Sequence, residues 1–380
     1  MKLFRSTLAI AAASAIAFGA TVTTPANAAT VTAEQAAGDA ALGTVKNWNA
    51  NPAPKAISTG ETAEWVNEVD GNKVQAYWVT SPSMGRDIPV AVIPARNEAG
   101  QPVQNAPTIY LLNGAGGAEQ NNDWLTYADT QKFFADKGVN VVIPMEGAFS
   151  YYTDWLNTPK AQYFRGPQKW ETFLTKELPG PIERTLGANN NRAIAGFSMS
   201  GTSALVLPQH NPGMYKAAAS FSGCAATSSP AGYNFARITV NRASATQDFK
   251  TVTPEMMWGP MGGPYNRWND ALLNAEKLRG LKLYVSAGTG LAGRSDQVSY
   301  LIGLGAPDPI AHIGAATLQV EGGVIEAAIN TCTHDLKAKL DGLNIPAHFE
   351  LRNVGTHSWP YWREDLEKSW FTTIAPAFGM

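Results

Sequence analysis

Residues 193–205 read Ala-Ile-Ala-Gly-Phe-Ser-Met-Ser-Gly-Thr-Ser-Ala-Leu, and no other stretch says more about the fold. A short apolar run stops at Gly196, Ser198 stands two residues later, and small residues compatible with a helix follow. This order predicts a strand, a sharp turn with a serine at its apex, and a buried helix. Glycine suits position 196, because a side chain there would clash with a neighbouring strand or helix. An ordinary strand end with a solvated serine is the simpler alternative.

A serine on such a turn is typical of the nucleophile elbow of an α/β-hydrolase. The tight turn lifts the serine Oγ clear of the sheet and leaves the next backbone N–H free. The fifth position of the motif is Ser200 instead of the usual glycine, and Gly201 follows. A small residue meets the same steric need, so the elbow remains the favoured interpretation.

Short apolar runs with strand character recur along the chain and alternate with helical stretches such as Thr126–Lys137, Lys169–Leu178 and Gly201–Gln209. This alternation predicts an α/β fold of the α/β-hydrolase type, with a mostly parallel central sheet flanked by helices on both faces. The Pro- and Gly-rich stretch Thr253–Pro264 is expected to be a long loop. The predicted strands are Val74–Val79, Ile88–Ile93, Thr108–Leu112, Val139–Ile143, Arg192–Ala195, Ala217–Phe221, Leu281–Ser286 and Ala347–Leu351.

The N-terminus has the features of a secretory signal peptide. Lys2 and Arg5 form a positive n-region, Leu8–Ala20 an apolar h-region, and Ala26-Asn27-Ala28 an A-x-A cleavage site. We therefore expect a signal peptide at 1–28, an N-terminal extension at 29–55 and a single α/β-hydrolase domain at 56–380. No later segment has the roughly 20 apolar residues that span a bilayer. The mature protein is expected to be secreted or held at the cell envelope.

Composition and cysteine usage exclude several functions. The formal net charge of −2 gives no basic surface for nucleic acid and no polybasic membrane patch. Cys224 and Cys332 lack the paired spacing of a metal site. An even cysteine count in an exported chain favours one disulfide, with two separate buried thiols as the alternative. The bond would join the loop after Ala217–Phe221 to a helical stretch at Val324–Asp335.

A serine nucleophile needs a histidine base and a carboxylate that orients the histidine. In an α/β-hydrolase the histidine lies on the loop after the last strand, and His357 has that position. The acid comes between serine and histidine, which leaves Asp296, Glu321, Glu326 and Asp335 as candidates. Asp296 follows a strand and a Gly-rich turn, so spacing alone slightly favours it.

An oxyanion hole needs two backbone N–H groups aimed at the developing negative charge. One is expected from Met199, the residue after the serine. The other is expected from the Gly-rich loop 113–117, where Ala115 or Gly116 would donate. A plain turn would also explain this loop.

Seven short segments occur in the same order in one known family. The chain carrying them resembles the antigen 85-type mycolyltransferases, exported α/β-hydrolase enzymes of mycolate-bearing actinobacteria. The resemblance covers roughly Val74–Leu366 and is weak across Thr227–Lys250 and Gly288–Val320. The matching segments are Ser81–Ile88, Tyr110–Gly114, Tyr152–Trp155, Lys169–Leu174, Gly196–Met199, Met257–Pro260 and Gly355–Trp359.

The resemblance implies catalytic roles at matching positions. The family's serine falls on Ser198, its histidine on His357, and its oxyanion donors on Ala115 and Met199. Its acid is a glutamate in a Phe-Leu-Glu context that matches Val324-Ile325-Glu326. The predicted acid therefore moves to the glutamate and away from the residue that spacing favoured.

The resemblance also identifies departures. The family accepts a small residue other than glycine at Ser200. An aspartate and an arginine that bind trehalose in the family are replaced by Asn113 and Gly116, which implies a changed sugar pocket. The family's cysteine near the site aligns with Ser286. The substrate-binding residues implied are Asn113, Gly114, Gly116, Trp155, Ser358 and Trp359.

The resemblance implies a mycolyltransferase, or corynomycolyltransferase, that works by ping-pong acyl transfer without a cofactor. Trehalose monomycolate would acylate Ser198. The acceptor would be a hydroxyl of a second trehalose monomycolate, of arabinogalactan or of a protein serine. Two alternatives remain: an exported carboxylesterase in which water accepts the acyl group, and a non-catalytic envelope- or matrix-binding protein with the same fold.

Overall fold

A computed structural model describes residues 42–380, which form one nine-stranded sheet with helices on both faces. The predicted signal peptide and the first part of the predicted extension lie outside these described residues. The strands are β1 Thr44–Asn47, β2 Gln75–Ser81, β3 Arg86–Ile93, β4 Thr108–Leu112, β5 Asn140–Pro144, β6 Arg192–Phe197, β7 Ala217–Phe221, β8 Lys282–Ala287 and β9 His348–Leu351.

The sheet has the order β1-β2-β3-β5-β4-β6-β7-β8-β9. Strands β1, β2 and β3 pair antiparallel, and β3 is also antiparallel to β5. The remaining six strands, β5-β4-β6-β7-β8-β9 in sheet order, all run parallel. The prediction of a mostly parallel sheet is confirmed, and all eight predicted strands are present within two residues of their expected ends. Strand β1 lies in the stretch expected to be an extension. Its residues are mostly exposed, so no buried face marked it in the sequence.

Apolar runs in the central strands explain why the sheet is covered on both faces. All five residues of β4, β5 and β7 are buried, as expected for parallel strands between helical layers. Alternate residues point to opposite sides: Tyr110 and Leu112 join one apolar cluster, and Ile109 and Leu111 join the other.

The helices largely follow the predicted positions, with two differences. The expected helix Thr126–Lys137 is two short helices, because Asp129 between them has a left-handed backbone (φ 47°). The stretch Thr253–Pro264 was wrongly predicted as loop throughout: Pro254 begins a short helix, since proline suits the first helical position. The helices are α1 Trp124–Tyr127, α2 Thr130–Phe133, α3 Trp170–Thr172, α4 Pro179–Leu186, α5 Met199–His210, α6 Pro230–Asn241, α7 Pro254–Trp258, α8 Pro264–Trp268, α9 Val298–Gly303, α10 Asp308–Thr317, α11 Gly323–Gly342, α12 Trp359–Ser369 and α13 Ala375–Phe378.

The predicted disulfide is present. Cys224 and Cys332 are bonded, with their Cα atoms 5.1 Å apart and 108 positions between them in sequence. The bond ties the loop after β7 to α11. None of the helices in residues 42–380 combines the length and apolar character needed to cross a membrane.

The topology brings distant residues together at the carboxyl ends of the parallel strands. Strands β6, β7, β8 and β9 are parallel neighbours, so the loops that follow them emerge on the same side. Ser198 follows β6 and His357 follows β9, while Glu326 lies on α11 between β8 and β9.

Candidate active site

Ser198 stands at a strained turn between β6 and α5. Its backbone has φ 56° and ψ −123°, a conformation that non-glycine residues rarely adopt and that recurs at functional sites. An added Cβ at Gly196 would lie 2.5 Å from the Ser200 carbonyl oxygen, so only glycine fits there. The departure at Ser200 has a local explanation: its hydroxyl accepts from Phe197 N (3.0 Å) and donates to the Leu112 carbonyl (2.9 Å). A serine therefore ties the turn to β4.

The serine, a histidine and a glutamate are in direct contact. His357 Nε2 lies 2.7 Å from Ser198 Oγ, and His357 Nδ1 lies 2.8 Å from Glu326 Oε2. A carboxylate can only accept, so Nδ1–H donates to Glu326 and leaves Nε2 to accept from the serine hydroxyl. Ser198 is half-buried, whereas Glu326 is 1% exposed. This arrangement can remove a proton from the serine as it attacks an ester.

Three further groups hold the glutamate. Its Oε1 accepts from Ser222 Oγ and from Gly288 N, both at 2.8 Å. The Ser222 hydroxyl in turn accepts from Trp362 Nε1 at 3.1 Å. One carboxylate oxygen is thus fixed by the protein and the other faces the imidazole.

Asp296, the acid that spacing favoured, does not contact the histidine. It is fully buried; Oδ1 accepts from Thr356 Oγ1 (2.7 Å), and Oδ2 accepts from Tyr361 OH (2.6 Å) and Gly293 N (2.8 Å). The other two candidates, Glu321 and Asp335, are exposed on the helical segment that carries Glu326.

Two backbone N–H groups, those of Met199 and Ala115, have no protein acceptor among residues 42–380; Met199 directly follows Ser198, and Ala115 lies on the loop after β4, the parallel neighbour of β6. Met199 is the first residue of α5, where unpaired N–H groups and the helix dipole favour negative charge. The Ala115 carbonyl accepts from Phe149 N at 2.6 Å, which holds the Gly-rich loop in place.

Three of the residues expected to bind substrate, Asn113, Gly114 and Gly116, are buried in the Gly-rich loop. Asn113 is 1% exposed, donates from Nδ2 to the Pro144 carbonyl (3.1 Å) and accepts from Trp124 N (3.1 Å). A Cβ at Gly114 would lie 2.4 Å from the Phe197 ring. A Cβ at Gly116 would lie 2.0 Å from Gln120 Oε1, so Gln120 occupies the space where a longer side chain would begin. Asn113 and Gly114 therefore shape the loop itself.

Three other residues implied by the resemblance take different positions. Trp155 is 1% exposed and donates to the Ser150 carbonyl (2.9 Å), so its ring belongs to the apolar core. Ser358 is buried beside Asp296. Trp359 is partly exposed and stacks on Tyr127, with ring centroids 5.5 Å apart. Of these three side chains, only that of Trp359 is accessible from solvent.

Sequence reasoning did not find Ser222 or Glu119. Ser222 contacts a residue 104 positions away, and its position just after β7 was the only signal available. Glu119 follows the Gly-rich loop and is 4% exposed. Burial and the nearby charge of Glu146 raise the pKa of the Glu119 carboxyl to about 7.

Exposed apolar side chains lie on the segments that contact the histidine loop. Leu291, Val320 and Val324 are 65%, 65% and 70% exposed. Their segments contact the loop directly, since the Leu291 carbonyl accepts from Gly355 N (2.7 Å) and the Gly322 carbonyl from His357 N (3.1 Å). In the described part of the chain no three His, Cys, Asp or Glu side chains are grouped to hold a metal ion.

Comparison with known proteins gives consistent matches. Residues 81–371 match the Esterase family, described as putative esterase. The chain is 30% identical to diacylglycerol acyltransferase/mycolyltransferase Ag85B of Mycolicibacterium smegmatis over 301 residues, covering 78% of this chain and 83% of that protein. It is also 30% identical to Ag85A of Mycobacterium tuberculosis over 297 residues, covering 78% and 79% respectively.

Solved structures agree on the fold. The structure of Mycobacterium tuberculosis MPT51 superposes with a TM-score of 0.57 at 25% identity, covering 77% of this chain and 94% of that one. An S-formylglutathione hydrolase from Agrobacterium tumefaciens gives a TM-score of 0.54 at 16% identity, covering 78% and 93%. The second likeness concerns the fold alone.

Proposed function

The chain belongs to the esterase family, alongside the antigen 85-type mycolyltransferases, and we propose that it is an exported mycolyltransferase of the cell envelope. In this proposal it moves a mycolyl or corynomycolyl chain from trehalose monomycolate to a hydroxyl acceptor. The observation that carries the proposal is the contact of Ser198, His357 and Glu326 next to two free backbone N–H groups.

The first half-reaction acylates the serine. Ser198 Oγ attacks the ester carbonyl while His357 Nε2 takes its proton, and Glu326 stabilises the resulting imidazolium. The N–H groups of Met199 and Ala115 bind the negative charge that develops on the carbonyl oxygen. His357 then returns the proton to the departing sugar oxygen, which leaves trehalose and an acyl-Ser198 ester.

The second half-reaction reverses these roles. An acceptor hydroxyl takes the place of the departed sugar, and His357 removes its proton as it attacks the acyl-Ser198 carbonyl. Collapse of the intermediate breaks the bond to Ser198 Oγ, which regains its proton from His357. The product is a new ester on the acceptor, and the enzyme is restored.

The surroundings of the serine favour a lipid substrate. Exposed Leu291, Val320 and Val324 lie on segments that are hydrogen-bonded to the histidine loop. The acyl chain of a bound ester could make apolar contacts with them. The sugar pocket differs from the family pattern, because Asn113 is engaged with its own loop and Gln120 covers Gly116. Trehalose would have to be held by other groups, such as the half-exposed ring of Trp359.

The test combines covalent labelling with product analysis. A fluorophosphonate probe should label the wild type and the control Ser299→Ala, an exposed helical serine, but not Ser198→Ala. Trehalose monomycolate incubated with wild type should give free trehalose and acylated acceptor. Full transfer by Ser198→Ala would overturn the proposal.

The same assay separates the alternatives. Release of free mycolic acid with no acylated acceptor, at saturating trehalose or arabinan, would identify a carboxylesterase instead. A folded wild type that takes no probe yet binds envelope glycolipid would identify a non-catalytic binding protein.

A further inference from the structure

Glu119 is a buried carboxylate on the short 3-10 helix Gly117–Gln120, directly after the start of the Gly-rich loop that carries Ala115. Its Oε2 accepts from two consecutive backbone N–H groups, Gly147 at 3.0 Å and Ala148 at 2.9 Å. Its Oε1 is buried without a hydrogen bond in the described residues, and Arg165 Nη2 lies 3.8 Å from it. Two successive N–H donors on one acceptor oxygen fix the Glu119 side chain to the start of the next turn.

The turn that Glu119 holds begins a strained loop at residues 147–152. Phe149, Tyr151 and Tyr152 all have positive φ (59°, 54° and 48°), which costs energy for residues with large side chains. A Cβ at Gly147 would lie 2.7 Å from the Tyr152 ring, so the loop also leaves no room at its first residue. Such a conformation persists only where its surroundings impose it.

The 147–152 loop touches both residues that would supply the oxyanion donors. Phe149 N donates to the Ala115 carbonyl (2.6 Å), and Tyr151 N donates to Met199 Sδ (3.3 Å). Ser203 Oγ, one turn further along α5, donates to the Tyr151 carbonyl (2.6 Å). One short strained segment therefore sets the spacing between the Gly-rich loop and the start of α5.

We propose that Glu119 is a positioning residue for the oxyanion hole: its carboxyl holds the 147–152 loop, which in turn fixes the Ala115 and Met199 N–H groups relative to each other. The inference rests on the proposed function, because it concerns the transition state of acyl transfer. Glu119 touches no reacting atom, so its effect is on geometry. A displacement of about 1 Å at such donors is sufficient to slow a reaction by roughly 10²-fold.

The groups around Glu119 favour a side chain that accepts hydrogen bonds over one that carries a negative charge. Glu146 faces it and pairs with Arg86 (2.9 Å), while the Arg165 side chain is 46% exposed and the Tyr152 and Tyr163 hydroxyls lie nearby. Burial and the nearby charge of Glu146 raise the pKa of the Glu119 carboxyl, which favours its neutral form. A glutamine, which keeps the oxygen acceptor and has no charge, should therefore hold the loop as well.

The test compares two substitutions of similar length. Glu119→Met removes the acceptor and keeps the bulk, whereas Glu119→Gln keeps the acceptor. With a short-chain p-nitrophenyl ester, we expect Glu119→Met to lower the acylation rate constant about 10- to 100-fold, with KM within about threefold. Glu119→Gln should stay within about threefold of wild type. Binding of a trifluoromethyl ketone, whose adduct with serine carries an oxyanion, should weaken by the same factor as the rate.

Controls separate positioning from folding and from the proposed function. Glu183→Gln changes a buried carboxyl that bonds Tyr110 and Arg192, and it should lower the melting temperature without changing the rate or the ketone affinity. If Glu119→Met does not fold, Glu119→Ala serves as the second acceptor deletion. A folded acceptor deletion with wild-type rate, or a loss in KM alone, would overturn the inference. An active Ser198→Ala would instead overturn the proposed function.

Discussion

Two buried carboxylates, Glu326 and Asp296, lie against the same histidine loop and do different things. They are 1% and 0% exposed, and each accepts one backbone N–H at 2.8 Å. Glu326 uses its second oxygen for His357 Nδ1, whereas both oxygens of Asp296 bond other groups, the Thr356 and Tyr361 hydroxyls among them. Neither burial nor position between β8 and β9 therefore distinguishes the two carboxylates.

The difference comes from the loop itself. Thr356 and His357 are adjacent, yet one side chain meets Asp296 and the other meets Glu326. In the proposed reaction Glu326 orients the base, and Asp296 holds the segment from which the base projects. Which of the two carboxylates meets the imidazole therefore depends on the directions of the Thr356 and His357 side chains.

The largest expected effect is that of Glu326→Gln. Glutamine leaves the imidazole without a charged partner and can favour the wrong tautomer, so kcat should fall by about 10⁴-fold. Steady-state kinetics with trehalose monomycolate measures it, with Asp296→Asn as the matched control. A kcat within tenfold of wild type for Glu326→Gln would mean that Glu326 is not the acid that orients His357.

The second effect concerns how the helix that carries Glu326 is held. Cys332 lies six positions after Glu326 on α11 and is bonded to Cys224, two residues after Ser222. Replacing both cysteines by serine opens a long closed loop in the unfolded chain, and we expect about 2–5 kcal/mol lower unfolding stability. Chemical denaturation measures this loss. Equal stability of the double variant and wild type under oxidising conditions would contradict it.

Asp296→Asn should affect the fold more than the chemistry. An amide offers one acceptor oxygen where the carboxylate offers two, so Gly293 N or one of the hydroxyl partners loses its acceptor. We expect unfolding stability to drop by about 1–3 kcal/mol and kcat to fall less than tenfold. Thermal melts and kinetics on the same preparation test both parts. A loss as large as that of Glu326→Gln would make Asp296 the acid.

The same contrast marks what the sequence could predict. The strands, the turn at Ser198 and the position of His357 follow from local patterns, because apolar runs and glycines specify them within a few residues. The preference for Glu326 over Asp296 came from the resemblance, since spacing says nothing about which side chain turns toward an imidazole. Strand β1 has no buried face, and no local pattern could indicate it.

Contacts of loop residues that belong to no recognisable motif were beyond prediction. Glu119 meets Gly147 and Ala148 across 28 and 29 positions, and Ser222 meets Glu326 across 104. Both depend on how loops fold over the sheet edge, which hydrophobic periodicity does not encode. The elbow motif and the chain order supplied Ser198 and His357, and the resemblance supplied Glu326, but neither supplied the residues that hold them.

The smallest effect should come from Ser222→Ala, which tests how much the hydrogen bonds that hold Glu326 contribute to kcat. Alanine removes one of two hydrogen bonds to Glu326 Oε1 and leaves the Trp362 indole N–H unpaired, while the bond from Gly288 N remains. A net loss of about 1 kcal/mol corresponds to a roughly fivefold lower kcat. In the Glu326→Gln background the same substitution should cost almost nothing, because Ser222 acts only through the carboxylate. A fivefold loss in both backgrounds would mean that Ser222 acts through Trp362 and the fold, independently of Glu326.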